Sequence, residues 1–442
     1  MAAFLANILP WQAAPPTLNV TEQIGFFATR VIGVVFLLCY AYQFFYIFVA
    51  AVRRPRRYPE APQDKRYAIL VAARNEEAVL PALLASIAAQ SYPSALTEVI
   101  VVADNCTDAT ARVAREAGAT VLERFDTAHV GKGYALAYAF DHLMETGRLA
   151  DFDAFLVFDA DNLLRRDYLA RMHDAYCAGN RVLTSYRNSK NYGKNWITAG
   201  YSLWFLREAR QLNAARAALG SSACITGTGF LLDRSILEKN GGWKHFLLTE
   251  DIELTADLVI GGERVGYCHE AEFFDEQPEG FRHSCRQRKR WARGLFQVIG
   301  RYGARLLGKA FCGSWSAFDI LMCMMPAFLL STLQLGVILV LLGLHAILYG
   351  ALSAFLLSCF VEFWLFGYAL FFLVGLCTLL SEWRRIPCRK WRALLLFFTF
   401  PVFMLTYIPI SVCALFGRVE WKPIPHSHTT SVDALECAKR KK

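Results

Sequence analysis

The sequence predicts an α/β domain flanked by membrane helices, and three observations support this fold class. Short apolar runs rich in branched residues alternate with helical stretches between residues 58 and 310, which is typical of a mostly parallel sheet. Apolar runs long enough to cross a bilayer precede and follow this region. Hydrophobic residues make up 55% of the 442-residue chain and charged residues only 19%, which excludes an ordinary soluble enzyme.

The N-terminal segment, residues 1–57, is predicted to carry a membrane anchor over about residues 31–52. The apolar run is longer than the core of a cleaved signal peptide, and no small-residue cleavage site follows it. An arginine cluster, residues 53–57, comes directly after the run. Because basic residues favour the cytoplasmic side, we expect this end in the cytosol and Met1–Thr29 to be extracytoplasmic or interfacial.

The α/β domain, residues 58–310, is expected to face the cytosol. Its predicted strands and helices are strands 67–73, 98–103, 120–123 and 155–158, and helices 78–90 and 107–117. Polar residues follow several of the strands. Because parallel strands end at one edge of a sheet, these residues are expected to line a ligand site there.

The C-terminal part of the chain, from residue 311 onward, is predicted to return to the membrane. Residues 311–418 hold apolar or interfacial helices at about 319–344, 351–380 and 393–416, and prolines interrupt the last of these. If that last helix crosses the bilayer, the basic tail, residues 419–442, lies outside, against the positive-inside tendency. If the helix is re-entrant or interfacial, the tail is cytosolic, and Trp421–His426 is then expected to cap the active site. The sequence leaves both alternatives open.

Charge and cysteine content narrow the function further. The formal net charge is +9, and the basic clusters adjoin apolar spans, which favours contact with anionic lipid headgroups over nucleic-acid binding. The 13 cysteines are scattered and include no Cys-x-x-Cys pair. This pattern argues against a disulfide framework or a zinc site and suits a reducing compartment.

Two acidic motifs follow predicted strands. Asp159 and Asp161 form an Asp-x-Asp turn whose carboxylates can converge on Mg²⁺ or Mn²⁺, although such a turn is also common in solvated loops. Asp104, followed by Asn105, can accept hydrogen bonds from a nucleobase or ribose. Taken alone, a turn or helix-capping role is the more natural interpretation of that pair.

A third acidic motif, Thr249-Glu250-Asp251, precedes a helical stretch. A carboxylate near a helix start can act as general base for an acceptor hydroxyl, and Asp251 is the candidate. Helix capping by Thr249, with acidic residues in the first turn, is the alternative. The two roles are compatible.

A basic patch contains the Gln-x-x-Arg-Trp run, Gln287–Trp291. Arg290 can bind a diphosphate through two hydrogen bonds, and Trp291 offers a flat face to a sugar ring. The alternative is an interfacial amphipathic helix with arginines on lipid phosphates, and both can hold. Two weaker signals are Lys132, which stands between glycines but lacks P-loop spacing, and Gly227–Phe230, a tight turn able to approach a substrate.

The ordered set of motifs, over residues 67–294, resembles the membrane-embedded family-2 glycosyltransferases, which have the Rossmann-like GT-A fold and include cellulose, hyaluronan, chitin and poly-N-acetylglucosamine synthases. The roles that the resemblance implies are donor binding by Ala73, Asn75, Glu76, Asp104, Lys132, Asp159 and Arg290, catalysis by Asp251 with Glu250, acceptor binding by Gln287, Trp291 and Gly229, and metal binding by Asp159 and Asp161. Asn105 departs from a frequent second aspartate. Gly227–Phe230 stands where cellulose synthases carry a Phe-Phe-Cys-Gly-Ser element, which puts a cellulose product in doubt.

The resemblance implies an inverting enzyme of the plasma (inner) membrane, multi-pass, that uses a UDP-sugar and Mg²⁺ or Mn²⁺ to extend a β-linked polysaccharide with coupled export. Two alternatives stay open. One is a single transfer to a lipid acceptor, and the other is a non-catalytic nucleotide-binding export subunit. Membrane lipid and an export or accessory subunit are the further expected partners.

Overall fold

The computed structural model describes residues 17–324, 326–416 and 429–440. Its central feature is one eight-stranded sheet. The strands, in chain order, are β1 Tyr67–Ala73, β2 Thr97–Asp104, β3 Thr120–Arg124, β4 Ala154–Asp159, β5 Leu163–Leu164, β6 Val182–Ser189, β7 Phe230–Asp233 and β8 Val265–Asp275.

The sheet is mixed, with the strand order β3-β2-β1-β4-β7-β6-β8-β5. The pairs β3–β2, β2–β1, β1–β4 and β6–β8 are parallel, whereas β7 is antiparallel to both of its neighbours and β5 is antiparallel to β8. The four predicted strands are all present, as β1 to β4. Sequence reasoning missed β5 to β8, because these strands are very short or mix polar with apolar residues.

Helices accompany the sheet and the membrane region. They are α1 Val20–Val52, α2 Leu80–Ala88, α3 Thr110–Glu116, α4 Lys132–Glu145, α5 Tyr168–Cys177, α6 Trp196–Arg207, α7 Ala214–Ala218, α8 Arg234–Asn240, α9 Glu250–Ile260, α10 Phe281–Phe311, α11 Trp315–Met324, α12 Pro326–Tyr349, α13 Ala354–Glu382, α14 Lys390–Phe397, α15 Phe400–Leu405, α16 Tyr407–Leu415 and α17 Val432–Arg440. A π-helical turn, Glu208–Asn213, joins α6 to α7.

The sheet is buried on both faces. Alternate residues of a strand point to opposite faces, so Ile69 and Val71 of β1 pack with α2 and α5, while Ala68 and Leu70 pack with α4. This explains the continuous apolar run of β1, in which Tyr67 to Val71 are all buried. The result is a Rossmann-like layered domain, as the sequence predicts.

Three helices in the described ranges are long and apolar enough to cross a membrane, namely Val20–Val52, Ala327–Tyr349 and Ala354–Glu382. The first begins well before residue 31, because Asn19 and Glu22 form a capping box at its start. Residues 20–29 are therefore helical and continuous with the predicted anchor. Helix α14 and the stretch formed by α15 and α16 make an apolar pair that is bent by 44°. The sequence left the topology of this region open.

Asp319, which was expected to start a membrane helix, lies instead on the short helix α11 in a buried ion pair. Its carboxylate contacts Arg216 at 2.8 Å, and both side chains are fully buried. Tyr42 and Tyr46 of α1 each donate a hydrogen bond to it at 2.8 Å. Buried charges need such partners, so this cluster ties the α/β domain to helix α1.

The C-terminal helix α17 packs on the sheet edge. Leu435 is buried against Leu163 and Phe274, and Lys439 makes a 2.9 Å ion pair with buried Glu272. The predicted cap Trp421–His426 lies outside the described residues.

Candidate active site

Three of the predicted site residues meet at one edge of the sheet. Ala73 ends β1, Asp104 ends β2 and Asp159 ends β4. These strands are parallel neighbours in which Ala73 pairs with Ala103 and Ala72 with Asp159. The fold therefore brings these three residues together at the carboxyl ends of the strands, as the sequence predicts.

The Asp104 end of this edge is a hydrogen-bonded cluster. Arg124, at the end of β3, donates to Asp104 Oδ1 at 2.7 Å, and both side chains are nearly buried. Burial raises the pKa of Asp104, and the Arg124 guanidinium opposes that shift. Sequence reasoning missed Arg124, because the contact depends on strand pairing and no local motif marks it.

Asn105, the departure from the resembled family, has a structural role that an aspartate cannot fill. Its amide nitrogen donates to Asp104 Oδ1 at 3.0 Å and to the carbonyl of Asp126 at 2.9 Å. Its amide oxygen accepts the N–H of Asp126 at 2.9 Å. The residue also holds a left-handed backbone, with φ of 52°, which Asn tolerates better than most residues.

The segment after β1 is organised by the loop after β2. Asn75 has φ of 57°, and its side-chain oxygen accepts the N–H of Thr107 at 2.8 Å. The N–H of Glu76 donates to Thr110 Oγ1 at 2.9 Å. Ala73 is buried, so it can offer only its backbone to a ligand.

Lys132 joins two of the predicted motifs. Its ammonium group donates to Asp159 Oδ1 at 2.5 Å and to the carbonyl of Gly227 at 2.7 Å. Burial lowers the pKa of Lys132, but the carboxylates of Asp159, Glu250 and Asp251 outweigh it and leave the pKa above its usual value. The lysine is therefore charged at neutral pH, although its side chain is only 15% exposed.

Asp161 is buried and has hydrogen-bond partners of its own. Its Oδ2 accepts the N–H of Glu276 at 3.0 Å, and Asn162 Nδ2 lies 3.3 Å from its Oδ1. The carboxylate of Asp275 lies beside it. Burial raises the pKa of Asp275, the charge of Arg187 opposes this shift, and the charge of Asp161 adds to it.

Whether a divalent cation fits this edge depends on which ligand atoms the side chains offer. Asp159 and Asp161 supply the hard carboxylate oxygens that Mg²⁺ and Mn²⁺ prefer. Within residues 17–324, 326–416 and 429–440, no group of three His, Cys, Asp or Glu side chains is arranged to hold a metal ion. The two aspartates therefore fit a divalent cation only together with further oxygen ligands.

Buried Glu250 and partly exposed Asp251 begin α9 as an acidic pair. Burial raises the pKa of both carboxyls, the charge of Asp251 raises that of Glu250 further, and Lys132 and Arg290 oppose the shift. Gly227 lies next to this pair, since a Cβ built on it would be 3.9 Å from Asp251 Oδ2. Asp251 therefore adjoins the same glycine loop that Lys132 contacts.

Thr249 stands at the N-cap position of α9 with acidic residues in the first turn, as expected, but the predicted side-chain cap is absent. Its side chain makes no capping hydrogen bond, and among the described residues its hydroxyl has no partner. The side chain instead packs on Gly294 of α10, where an added Cβ would come within 2.6 Å. This close approach places α10 against the start of α9.

The Gln-x-x-Arg-Trp residues lie on α10, facing the acidic pair and an aromatic cluster. Arg290 donates to the carbonyl of Leu248 at 3.1 Å and acts electrostatically on Glu250 and Asp251. The ring of Trp291 packs edge-on against Tyr201 at 5.7 Å and Phe205 at 6.1 Å. Gln287 Oε1 is buried and has no hydrogen-bond partner in the part of the chain that the structure describes.

Gly229, assigned to the acceptor, is buried in the core. Its φ is +67°, and an added Cβ would lie 2.3 Å from the ring of Phe273. Its carbonyl accepts hydrogen bonds from Tyr168 and Ser185. The neighbouring Thr228, whose hydroxyl lies 2.9 Å from the N–H of Asp159, links the glycine loop to the Asp-x-Asp turn.

The model of the family described as "Glycosyltransferase like family 2" matches residues 62–294, which is more than half of the chain. The chain belongs to this family. The predicted GT-A fold and the predicted transferase class are thereby confirmed.

Two relatives of this glycosyltransferase differ in their acceptors. It is 29% identical over 310 residues to a beta-monoglucosyldiacylglycerol synthase of Nostoc sp., covering 66% of this chain and 62% of the relative. It is 24% identical over 243 residues to a poly-beta-1,6-N-acetyl-D-glucosamine synthase of Staphylococcus epidermidis, covering 55% and 57%. The chain thus spans about three-fifths of the length of these curated relatives.

A solved structure shares the fold of this glycosyltransferase. It is the mannosyltransferase PcManGT from Pyrobaculum calidifontis in complex with GDP-Man and Mn²⁺. The TM-score is 0.56 at 18% identity, with 87% of this chain and 99% of the other covered. At this identity the likeness shows the fold alone.

Proposed function

We propose that this family-2 glycosyltransferase moves a sugar from a UDP-sugar to an acceptor hydroxyl at the membrane surface, with inversion at the anomeric carbon. The observation that carries the proposal is the position of Lys132. It contacts Asp159 and the carbonyl of Gly227, and it acts electrostatically on Glu250 and Asp251. Groups suited to a diphosphate and a carboxylate suited to general-base catalysis therefore share one site.

In the proposed reaction, Asp251 accepts the proton of the acceptor hydroxyl, whose oxygen attacks the anomeric carbon as the bond to the UDP oxygen breaks. Its raised pKa makes it a stronger base than an exposed aspartate once it is ionised. Lys132 and Arg290 stabilise the negative charge that develops on the leaving diphosphate. A divalent cation held by Asp159 and Asp161 would add positive charge at the same place.

The test of this proposal is Asp251→Asn, with Asp151→Asn as the control because Asp151 is half exposed in a surface ion pair. A screen of UDP-sugars for UDP release first identifies the donor. We expect Asp251→Asn to lower transfer by at least 10³-fold in rate and to leave the UDP affinity within a few-fold of wild type, because the base acts only in the chemical step. A fully active Asp251→Asn enzyme would contradict the mechanism.

For the acceptor we propose a membrane lipid hydroxyl. The aromatic wall of Trp291, Tyr201 and Phe205 continues into Phe403 of α15, whose ring lies 4.9 Å from that of Tyr201. Since α15 belongs to the bent apolar pair, this wall connects the site to helices that are apolar enough to contact lipid. The longer match to a diacylglycerol glucosyltransferase supports the same choice.

Extension of a β-linked polysaccharide, with an export or accessory subunit as partner, is the second candidate. The similarity to a poly-N-acetylglucosamine synthase favours it. Product length after incubation with a labelled UDP-sugar and membranes separates the two. A single sugar on lipid supports the first candidate, and a ladder of soluble or pelletable polymer supports the second.

We further propose that α14 to α16 form a re-entrant pair and that the C-terminal tail lies on the cytosolic side. Residues before and after the pair both contact the α/β domain. Before the pair, Arg385 lies 3.0 Å from His269 of β8. After the pair, Lys439 binds Glu272 of the same strand. A chain that returns to the same domain cannot have crossed the bilayer between these two contacts.

The three remaining spans are consistent with this orientation. Thr21 at the start of α1 hydrogen-bonds His345 at 2.8 Å, and Glu22 hydrogen-bonds Ser353 at 2.6 Å, so the α12–α13 connection lies on the far side with the start of α1. Buried Arg288 donates to Phe403 O at 3.1 Å and Thr406 Oγ1 at 2.6 Å, both in the second stretch of the re-entrant pair, after the bend.

The orientation is tested with an epitope tag after Lys442 in sealed inverted and right-side-out vesicles. We expect protease to remove the tag only when the cytoplasmic face is exposed. A matched tag before Met1 should show the opposite protection. Cleavage of the C-terminal tag from the outer face would contradict the re-entrant assignment.

A further inference from the structure

Arg187 of β6 connects the acidic loop to the aromatic wall. Its Nε donates to Asp275 Oδ2 at 2.9 Å, its Nη2 makes a second bond to the same oxygen, and its Nη1 donates to Thr226 O at 2.6 Å. The side chain is 11% exposed. Neither residue of this ion pair belongs to a motif that the sequence analysis identified.

On one side, the ion pair is anchored to the Asp-x-Asp loop by Asn162. The Nδ2 of this fully buried residue donates to Asp275 Oδ1 at 3.1 Å, and its Oδ1 accepts the hydroxyl of Thr228 at 2.5 Å. The same oxygen lies 3.2 Å from the N–H of Asp159. A rigid hydrogen-bond network therefore fixes the guanidinium relative to the donor-binding edge.

On the other side, Arg187 faces the groups assigned to the acceptor. Its guanidinium carbon lies 3.6 Å from the ring centroid of Phe205, which in turn packs on Trp291. A Cβ built on Gly227 would be 3.8 Å from Arg187 Nη1 and 3.9 Å from Asp251 Oδ2. Glycine at this position leaves space between the arginine and the proposed base.

The chemistry of a guanidinium suits that space. Each terminal nitrogen carries two N–H groups, and the contacts to Asp275 and Thr226 account for one on each. Because Asp275 already balances the charge, the remaining donors are suited to neutral oxygen acceptors. Planar stacking on Phe205 fixes the direction in which they point.

We propose that Arg187 is an acceptor-binding residue, which hydrogen-bonds neutral oxygens of the acceptor and orients the nucleophilic hydroxyl toward Asp251. The ligand class is an alcohol with further neutral oxygens close to its hydroxyl, such as the ester oxygens of a glycerolipid. This inference rests on the proposed function and adds to it the residue that positions the acceptor. Through hydrogen bonds to Asp275, and from Asp275 to Asn162, Arg187 is also connected to the Asp-x-Asp loop.

The experiment compares Arg187→Gln and Arg187→Lys with Arg181→Gln, an exposed arginine just before the same strand. The probes are diacylglycerol in mixed micelles and the UDP-sugar that supports turnover, with UDP binding measured separately. We expect KM for diacylglycerol to rise at least 10-fold in Arg187→Gln, whereas KM for the donor and the UDP Kd change less than twofold. Arg187→Lys should recover part of the loss, and Arg181→Gln should behave as wild type.

Equal losses of donor and acceptor affinity in both Arg187 variants would show a merely structural role and overturn the assignment, as would an unchanged acceptor KM. If both variants fail to fold, Phe205→Leu keeps the ion pair and removes the stacking face. It should then raise the acceptor KM at unchanged UDP affinity, and failure to do so would overturn the assignment. Wild-type protein without UDP release for any donor and acceptor would instead overturn the proposed function.

Discussion

Lys132 Nζ lies 2.5 Å from Asp159 Oδ1, across the space between the start of α4 and the end of β4. The same nitrogen contacts Gly227 O, so one cation bridges the Asp-x-Asp turn and the glycine loop beside Asp251. A close contact fixes the start of α4, because a Cβ on Gly133 would come within 2.4 Å of His245 O. The lysine is thus held where a diphosphate between the two loops would meet it.

Lys132→Met should weaken donor binding most strongly. Loss of charge-assisted hydrogen bonds costs about 1.5–3 kcal/mol each, so we expect the UDP-sugar Kd to rise roughly 10-fold to 150-fold. Isothermal titration with UDP and with the UDP-sugar measures the effect. Lys239→Met, at a side chain 64% exposed, is the control and should change nothing. Wild-type affinity in Lys132→Met would remove this residue from the donor site.

The pH dependence of transfer should follow the Glu250–Asp251 pair. Because the pKa of both carboxyls is raised, the acid limb of the rate profile should lie above the value of about 3.9 for an ordinary aspartate. Glu250→Gln removes a neighbouring negative charge and should move this limb to lower pH. Lys132→Met removes a positive charge and should move it to higher pH. Rate profiles of the three enzymes at saturating donor measure these shifts.

The contribution of Glu250 to folding stability should fall as pH rises, over the range in which activity rises. For a carboxyl whose pKa is raised in the folded state, the stabilising contribution is complete below the unfolded pKa and is lost as pH rises through the folded pKa. Melting temperatures of Glu250→Gln should therefore fall less steeply than those of the wild type between acid and neutral pH. A steeper fall would contradict the assigned direction of the shift.

Asn105→Asp should destabilise the hydrogen-bonded cluster around Asp104, although it restores the aspartate that is frequent in the resembled family. The change replaces two donated hydrogen bonds by repulsion from Asp104 Oδ1 and Asp126 O. We expect a loss of about 1–3 kcal/mol in unfolding free energy and weaker UDP binding. Denaturant unfolding and UDP titration measure both effects, with Asn240→Asp, at the end of the surface helix α8, as control. Stronger UDP binding in Asn105→Asp would be the contrary result.

Gly229→Ala and Gly241→Ala form a matched pair, because both glycines have φ of +67°. At Gly241 an added Cβ meets nothing within 4 Å, so only the backbone strain of about 1–2 kcal/mol applies. At Gly229 the Cβ would also meet Phe273 at 2.3 Å, and we expect a further loss of about 1–3 kcal/mol. Thermal unfolding in detergent compares them, and equal losses would show that Phe273 moves without cost.

The sequence by itself determined the parallel half of the sheet and its ligand edge. Strands β1 to β4 are continuous apolar or branched runs, and each polar residue that follows them lies at the strand end by chain continuity alone. The same local logic located Asp104, Asp159, Glu250 and Asp251, and it located the apolar spans from their length. The motifs were recognisable because each is contiguous in the chain.

Only the tertiary structure decided what lies across from these residues. Arg124, Arg187 and Asp275 reach the site through strand pairing between segments far apart in sequence, and their charge alone gave no signal. The proposed side of the C-terminal tail likewise rests on contacts of Lys439 and Leu435 with β8 and β5, which no local pattern indicates. The physical reason is the same in each case. Local sequence fixes backbone propensity and burial pattern, whereas partner choice among buried charges depends on which distant elements the fold brings into hydrogen-bond range.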